Sequence, residues 1–263
     1  MNNIKWSILI ALLAFVSSVQ ATTIFSDNFD GASGKLQGRK TPVGGLSWID
    51  NFDRSVLTNN HVEVSAANQN ARVVTNGLNR VIVLEADFFM NGANLTSTLG
   101  GTILGMSDGA GAFSNPTNDA ITLRLIANGT SVGKLTLFSK ENNVQIASVT
   151  SAGALSGYDT DKIHLTLTYD MINLRAVGIA SNTANGAYVT VTNSFSQVQV
   201  DALTINSFGF NTTGWVSGTA VWDNVTMSQI LEPSLTQGLF VISGTALPPP
   251  RKITSQRSYD KNI

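Results

Sequence analysis

Glu85 and Asp87 stand two residues apart in Leu84-Glu85-Ala86-Asp87-Phe88-Phe89-Met90. On an extended strand that spacing turns both carboxylates to one face, ~6.6 Å apart along the chain. Paired carboxylates can cleave glycosidic bonds, one attacking or stabilising while the other passes a proton to the leaving oxygen. The same spacing also arises on any solvated strand face. The two histidines, His61 and His164, are far apart in sequence, and with no cysteine in the chain neither lies in a zinc-binding pattern. Gly100-Gly101 and Gly105 fall between strand-like segments with no helix after them, so they form neither a phosphate loop nor a dinucleotide fingerprint. No serine sits on a nucleophile elbow.

Sugar binding needs different parts: aromatic faces that stack on pyranose rings and polar groups that meet hydroxyls. Trp215, in Asn211-Thr212-Thr213-Gly214-Trp215, is the first candidate, because a polar loop gives it less reason to be core than Trp48 or Trp222 has. Phe113 and Tyr158 also lie in polar loops, and His164 lies on a polar strand face. These four form the candidate carbohydrate-binding set. The competing reading of each loop aromatic is that it folds back on the protein, since rings stabilise most when buried.

The elements that must carry these residues are strands. Alternating segments recur at His61 to Ser65, Arg80 to Met90, Thr102 to Met106, Ala120 to Ala127, Lys134 to Ser139, Val144 to Val149, Lys162 to Tyr169, Leu174 to Ala180, Tyr188 to Thr192, Leu203 to Phe210 and Thr219 to Met227, separated by Gly, Asn, Asp and Ser. In Lys162 to Asp170, Ile163, Leu165, Leu167 and Tyr169 share one face while His164, Thr166, Thr168 and Asp170 share the other. Such one-sided alternation belongs to antiparallel sheets with one wet face. No segment keeps a helical period, so the chain is expected to be an all-β sandwich. Only 13% of its 263 residues are charged, against ~25% in ordinary soluble domains, yet 43% are hydrophobic. A net charge of -1 excludes a basic nucleic-acid binder, and the absence of cysteine excludes a disulfide scaffold.

The two ends read differently. Lys5 followed by an apolar run from Trp6 to Val16 and by Val19-Gln20-Ala21 reads as a secretory leader over 1-21, with the mature chain beginning at Thr22. An exported chain without cysteine suits a bacterial envelope. At the other end, Leu231-Glu232-Pro233-Ser234, the mainly apolar stretch Leu235 to Leu247 and then Arg251-Lys252 resemble the PEP-CTERM sorting signal of bacterial envelope proteins. Leu231 stands where that signal carries its first Pro, and Pro248-Pro249-Pro250 interrupts the apolar run. The alternative for 231-263 is a disordered tail. Membrane contact is expected only through the leader or this segment.

Between the ends, residues 22-230 resemble the concanavalin A-like (laminin G-like) jelly roll. The resemblance rests on Phe25-Ser26-Asp27-Asn28-Phe29-Asp30-Gly31, Leu36-Gln37-Gly38-Arg39 with Pro42 and Trp48, Leu84-Glu85-Ala86-Asp87-Phe88, Leu165-Thr166-Leu167-Thr168-Tyr169-Asp170 and Trp222-Asp223-Asn224-Val225. It implies a two-sheet antiparallel sandwich, with a concave face lined by side chains such as His164 and Thr166. Jelly-roll glycosidases of the laminarinase type carry E-x-D-x-x-E; here Met90 replaces the last acid, and a thioether cannot shuttle a proton. The expectation is therefore a domain without catalysis. The resemblance also implies a structural calcium near the first and last strands, for which Asp27, Asp30 and Asp223 are the matching positions. Strict alternation from Val221 to Met227 would set Asp223 among apolar neighbours, so either a partner such as calcium or a β-bulge must resolve it. Three functions stay open: a non-catalytic exported surface or matrix protein associated with polysaccharide, a purely structural envelope protein, and an atypical glycoside hydrolase or lyase.

Overall fold

The computed structural model describes residues 20-231, apart from 32, 52, 54, 65-68, 79, 92-100, 128-131 and 214-218. The body of the leader, the C-terminal segment from 232 onward and Trp215 therefore lie outside the described residues. In chain order the strands are β1 (Gln20–Asp27), β2 (Gly34–Lys35), β3 (Ile49–Asp50), β4 (Ser55–Thr58), β5 (His61–Val64), β6 (Gln69–Val74), β7 (Val81–Asn91), β8 (Gly101–Ser107), β9 (Gly111–Ala112), β10 (Asn115–Pro116), β11 (Ala120–Ala127), β12 (Val132–Glu141), β13 (Val144–Thr150), β14 (Leu155–Ser156), β15 (Ile163–Asp170), β16 (Arg175–Asn182), β17 (Tyr188–Ser194), β18 (Ser207–Thr213) and β19 (Thr219–Leu231). One short helix, α1 (Gln197–Ala202), precedes β18. No helix among the described residues is long and apolar enough to cross a membrane.

Two antiparallel sheets form the jelly-roll sandwich. The nine-stranded sheet runs β17-β16-β15-β7-β19-β5-β4-β2, with β1 also paired to β19. The eight-stranded sheet runs β13-β12-β11-β8-β18-β6-β3, with β14 against β12. Non-consecutive neighbours such as β7 and β19 bring the two ends of the domain together: β1 lies along β19 with Asp27 opposite Val225. The period-2 pattern decides which side chains fill the space between sheets. On β15, Ile163, Leu165, Leu167 and Tyr169 are buried in the core while His164 and Thr166 point outward, half-buried. Phe25, Phe29, Trp48, Phe88, Phe210 and Trp222 form an aromatic cluster there, with Phe210 and Trp222 stacked at 4.7 Å.

The outer faces of the two sheets differ, and the difference locates the open surface. Every residue of β8 is buried, so the eight-stranded sheet is covered on both sides at its middle. The cover is the β9-β10 hairpin, which lays Phe113 over Gly105; a β-carbon at Gly105 would come within 2.4 Å of that ring. Arg124 adds to it, donating to the Phe113 carbonyl and sitting 4.4 Å from the Phe138 ring centre. The nine-stranded sheet shows alternation instead, with every second residue of β7, β15 and β5 half-buried.

Two local features depart from plain alternation. A strand is expected from Leu203, but α1 occupies Gln197–Ala202 and the strand starts at Ser207. Ser196 and Gln199 form a reciprocal capping box that opens a helix where none was expected. On β19 the register shifts between Asp223 and Thr226, and Asn224 takes φ 50°, a left-handed geometry that asparagine tolerates. That bulge keeps Trp222, Val225 and Met227 in the core and turns Asp223 outward.

Candidate functional site

The outward residues of β5, β19, β7 and β15 meet in register. His164 faces Asp87, Asp87 faces Asp223, Phe89 faces Val221, and Val221 faces Glu63. The tight β4-β5 hairpin, with Asn59 and Asn60 both left-handed (φ 48° and 65°), delivers Asn59 and His61 beside them. Together these strands bound a cleft of about 430 Å³ lined by Asn59, His61, Glu63, Asp87, Phe88, Phe89, Lys162, Val221 and Asp223. That size suits one or a few small ligand units.

Asp87 is the hub. Its carboxylate accepts from His164 Nδ1 at 2.9 Å, Asn224 Nδ2 at 2.9 Å and Lys162 Nζ at 3.3 Å. Burial pushes this carboxyl upward, but the bonds from His164, Asn224 and Lys162 outweigh it and hold the group at about 2. The other imidazole nitrogen of His164, Nε2, lies 3.5 Å from Glu85. Held between two carboxylates, with the Asp87 bond the stronger cause and the Glu85 bond next, His164 is raised to about 9. Glu85 is lowered, chiefly by that same imidazole, and also accepts from Thr166. His61 pairs with Glu63 at 3.1 Å. Asp223 differs from its neighbours: burial raises it, and among the described residues its hydrogen bonds come from Asn224, through the backbone N–H and the side-chain amide.

Of the three sequence candidates for sugar binding that lie among the described residues, Phe113, Tyr158 and His164, only His164 reaches this surface, bonded to Asp87 of the cleft lining. Phe113 is 1% exposed and Tyr158 2% exposed, so neither ring presents a face. The reason is that glycines make slots for them, Gly105 beneath Phe113 and Gly133 beneath Tyr158. The aromatic that the cleft does present is Phe89, half-buried beside Val221. Sequence reasoning missed Phe89, Glu63, Lys162 and Asn224, although the outward positions of β7 carried a signal in Glu85, Asp87 and Phe89 at every second residue.

At Asp27 the structure holds an arrangement other than the calcium site that the resemblance implies. Phe25, Asp27 and Phe29 alternate inward together, so Asp27 is fully buried. Its oxygens accept from Arg39 Nε and Nη2, both at 3.1 Å, from Trp48 Nε1 at 2.8 Å and from the Phe29 N–H at 2.8 Å. A guanidinium thus supplies positive charge to the buried Asp27 carboxylate. Asp30 is exposed nearby, whereas Asp223 faces the cleft and not the Asp27 carboxylate. Among the described residues no group of three or more acids or histidines is arranged to hold a metal ion.

No family model and no curated protein matches the chain. Solved structures do. The basic winged bean lectin with Tn-antigen is 8% identical, with 80% of this chain and 98% of that one covered and a TM-score of 0.53. The lectin UEA-II complexed with galactose is 10% identical, with 77% of this chain and 100% of that one covered, at 0.51. Arcelin-5, a lectin-like defense protein from Phaseolus vulgaris, is 10% identical over 80% of this chain and 97% of its own, at 0.51. These neighbours share the concanavalin A-like β-sandwich with this chain.

Proposed function

We propose that this chain is a non-catalytic, exported surface or matrix protein whose jelly roll binds polysaccharide in the cleft between β5, β19, β7 and β15. The observation that carries the reading is the composition of that cleft: an outward aromatic ring, Phe89, and an apolar Val221, surrounded by fixed carboxylates, an amide and an ammonium. A sugar ring offers an apolar face to the first and hydroxyls to the second. Two fold neighbours were solved with a sugar ligand, galactose in one and the Tn-antigen in the other. Export rests on the leader and the PEP-CTERM-like segment.

Catalysis by Glu85 and Asp87 is disfavoured by their surroundings. Both are held ionised by one imidazole, so neither carries the proton a general acid must give. A second reading, an atypical hydrolase or lyase, has one observation behind it. Asp87 and Asp223 face each other and are pushed in opposite directions, the pattern of an acid and base pair. Against it, Asp87 already accepts from three donors. A glycan array with a parallel reducing-end assay separates the readings. Binding without new reducing ends is expected; turnover abolished by Asp223→Asn establishes the enzyme, and no binding at all leaves a structural protein.

A further inference from the structure

The cleft lining carries three carboxylates, Glu63, Asp87 and Asp223, against the single ammonium of Lys162. Two of the three are matched: Asp87 holds Lys162 and His164, and Glu63 holds His61. Asp223 is bonded only by Asn224, and no Lys, Arg or His side chain pairs with it among the described residues. The charged groups that it feels are Lys162, Asp87 and His61, with Asp87 acting against the other two.

The geometry points to a polysaccharide bearing free amines, a hexosamine polymer at least partly without N-acetyl groups, with its ammonium on Asp223. This rests on the glycan-binding reading above and names its ligand class. A neutral ring laid over Phe89 strips water from Asp223 and returns no positive charge, which disfavours burial of the carboxylate. A uronate ring adds a fourth carboxylate to the cleft. An ammonium supplies the missing charge and donates a charge-assisted hydrogen bond to it. The distances allow this. Phe89 faces Val221, and Asp223 is the next outward residue on β19, a diagonal neighbour on the order of 7 Å away. One ring can cover Phe89 while its substituent reaches Asp223.

Calorimetry of the full chain with oligomers of glucosamine, N-acetylglucosamine, glucose and alginate tests this at about pH 6, where a carboxylate and an amine are both charged. Glucosamine oligomers should bind about 10-fold or more tightly than N-acetylglucosamine oligomers, the worth of one charge-assisted bond. Asp223→Asn, which keeps the shape, should erase that preference, bringing the affinities for the two oligomers within about 2-fold of each other. If that variant fails to fold, ionic strength serves in its place. The glucosamine affinity of the unmodified chain should fall between ~0.05 and ~0.5 M salt while that of glucose oligomers holds. Equal affinities, a preference that survives Asp223→Asn, or an affinity indifferent to salt overturns the amine assignment and leaves glycan binding standing. Failure of every oligomer to bind overturns both.

Discussion

Removing the carboxylate of Asp87 should release His164, and the size of that release can be worked from the site. His164 is raised from 6.5 to about 9, first by its bond to Asp87 and then by Glu85. An imidazole whose folded value lies above its unfolded value stabilises the fold fully below about pH 6.5 and loses that contribution as the pH rises through about 9. The full shift corresponds to about 3 kcal/mol. The His164 side chain is 36% exposed, so solvent screening reduces the contribution to ~1-2 kcal/mol. The Asp87 shift describes the same interaction from the other side and is not added to it. Two assays read the effect. In an NMR titration the His164 ring should have its midpoint near 9, and Asp87→Asn should bring it down by about one pH unit or more. In denaturation at about pH 6 and about pH 10, the chain should lose ~1-2 kcal/mol more than His164→Gln does over the same interval. A midpoint near 6.5 in the unmodified chain, or an identical pH response in His164→Gln, would refute the clamp.

Three further outcomes follow from the packing. Leu165→Ala opens a cavity at the fully buried Leu165 position of β15 and should cost about 2-5 kcal/mol by chemical denaturation; a cost under about 1 kcal/mol would place Leu165 outside the core. Arg39→Met removes the countercharge of the buried Asp27 carboxylate and should cost about 3-5 kcal/mol, whereas a neutral result would mean that something else balances Asp27. A chelator should leave the melting temperature unchanged, because Arg39, Trp48 and the Phe29 N–H occupy the Asp27 oxygens; a drop on chelation would restore the cation at that end.

The fold was legible wherever one face of a strand is core. The apolar set of β15 reads directly from its alternation, and the conflict at Asp223 called for either a cation or a bulge, of which Asn224 makes the bulge. The capping box at Ser196 and Gln199 was equally local, yet the apolar residues from Leu203 onward drew the strand too early. The site was less legible because it is assembled by register between distant segments. The partners of Asp87 lie 77 residues away at His164 and 137 away at Asn224, and alternation within one strand does not tell which strand lies beside it. Phe113 and Tyr158 were misplaced for a related reason: the slots that bury them belong to Gly105 and Gly133, on other strands.

The central claim is that polysaccharide lies on Phe89 in this cleft. Titrating the chain and its Phe89→Ala variant with the best glycan from the array tests it most directly, with circular dichroism confirming an unchanged fold. Phe89→Ala should weaken binding about 10-fold or more, since the stacking face is lost while the polar groups remain. Equal affinity in the two proteins would place the sugar elsewhere and contradict the account.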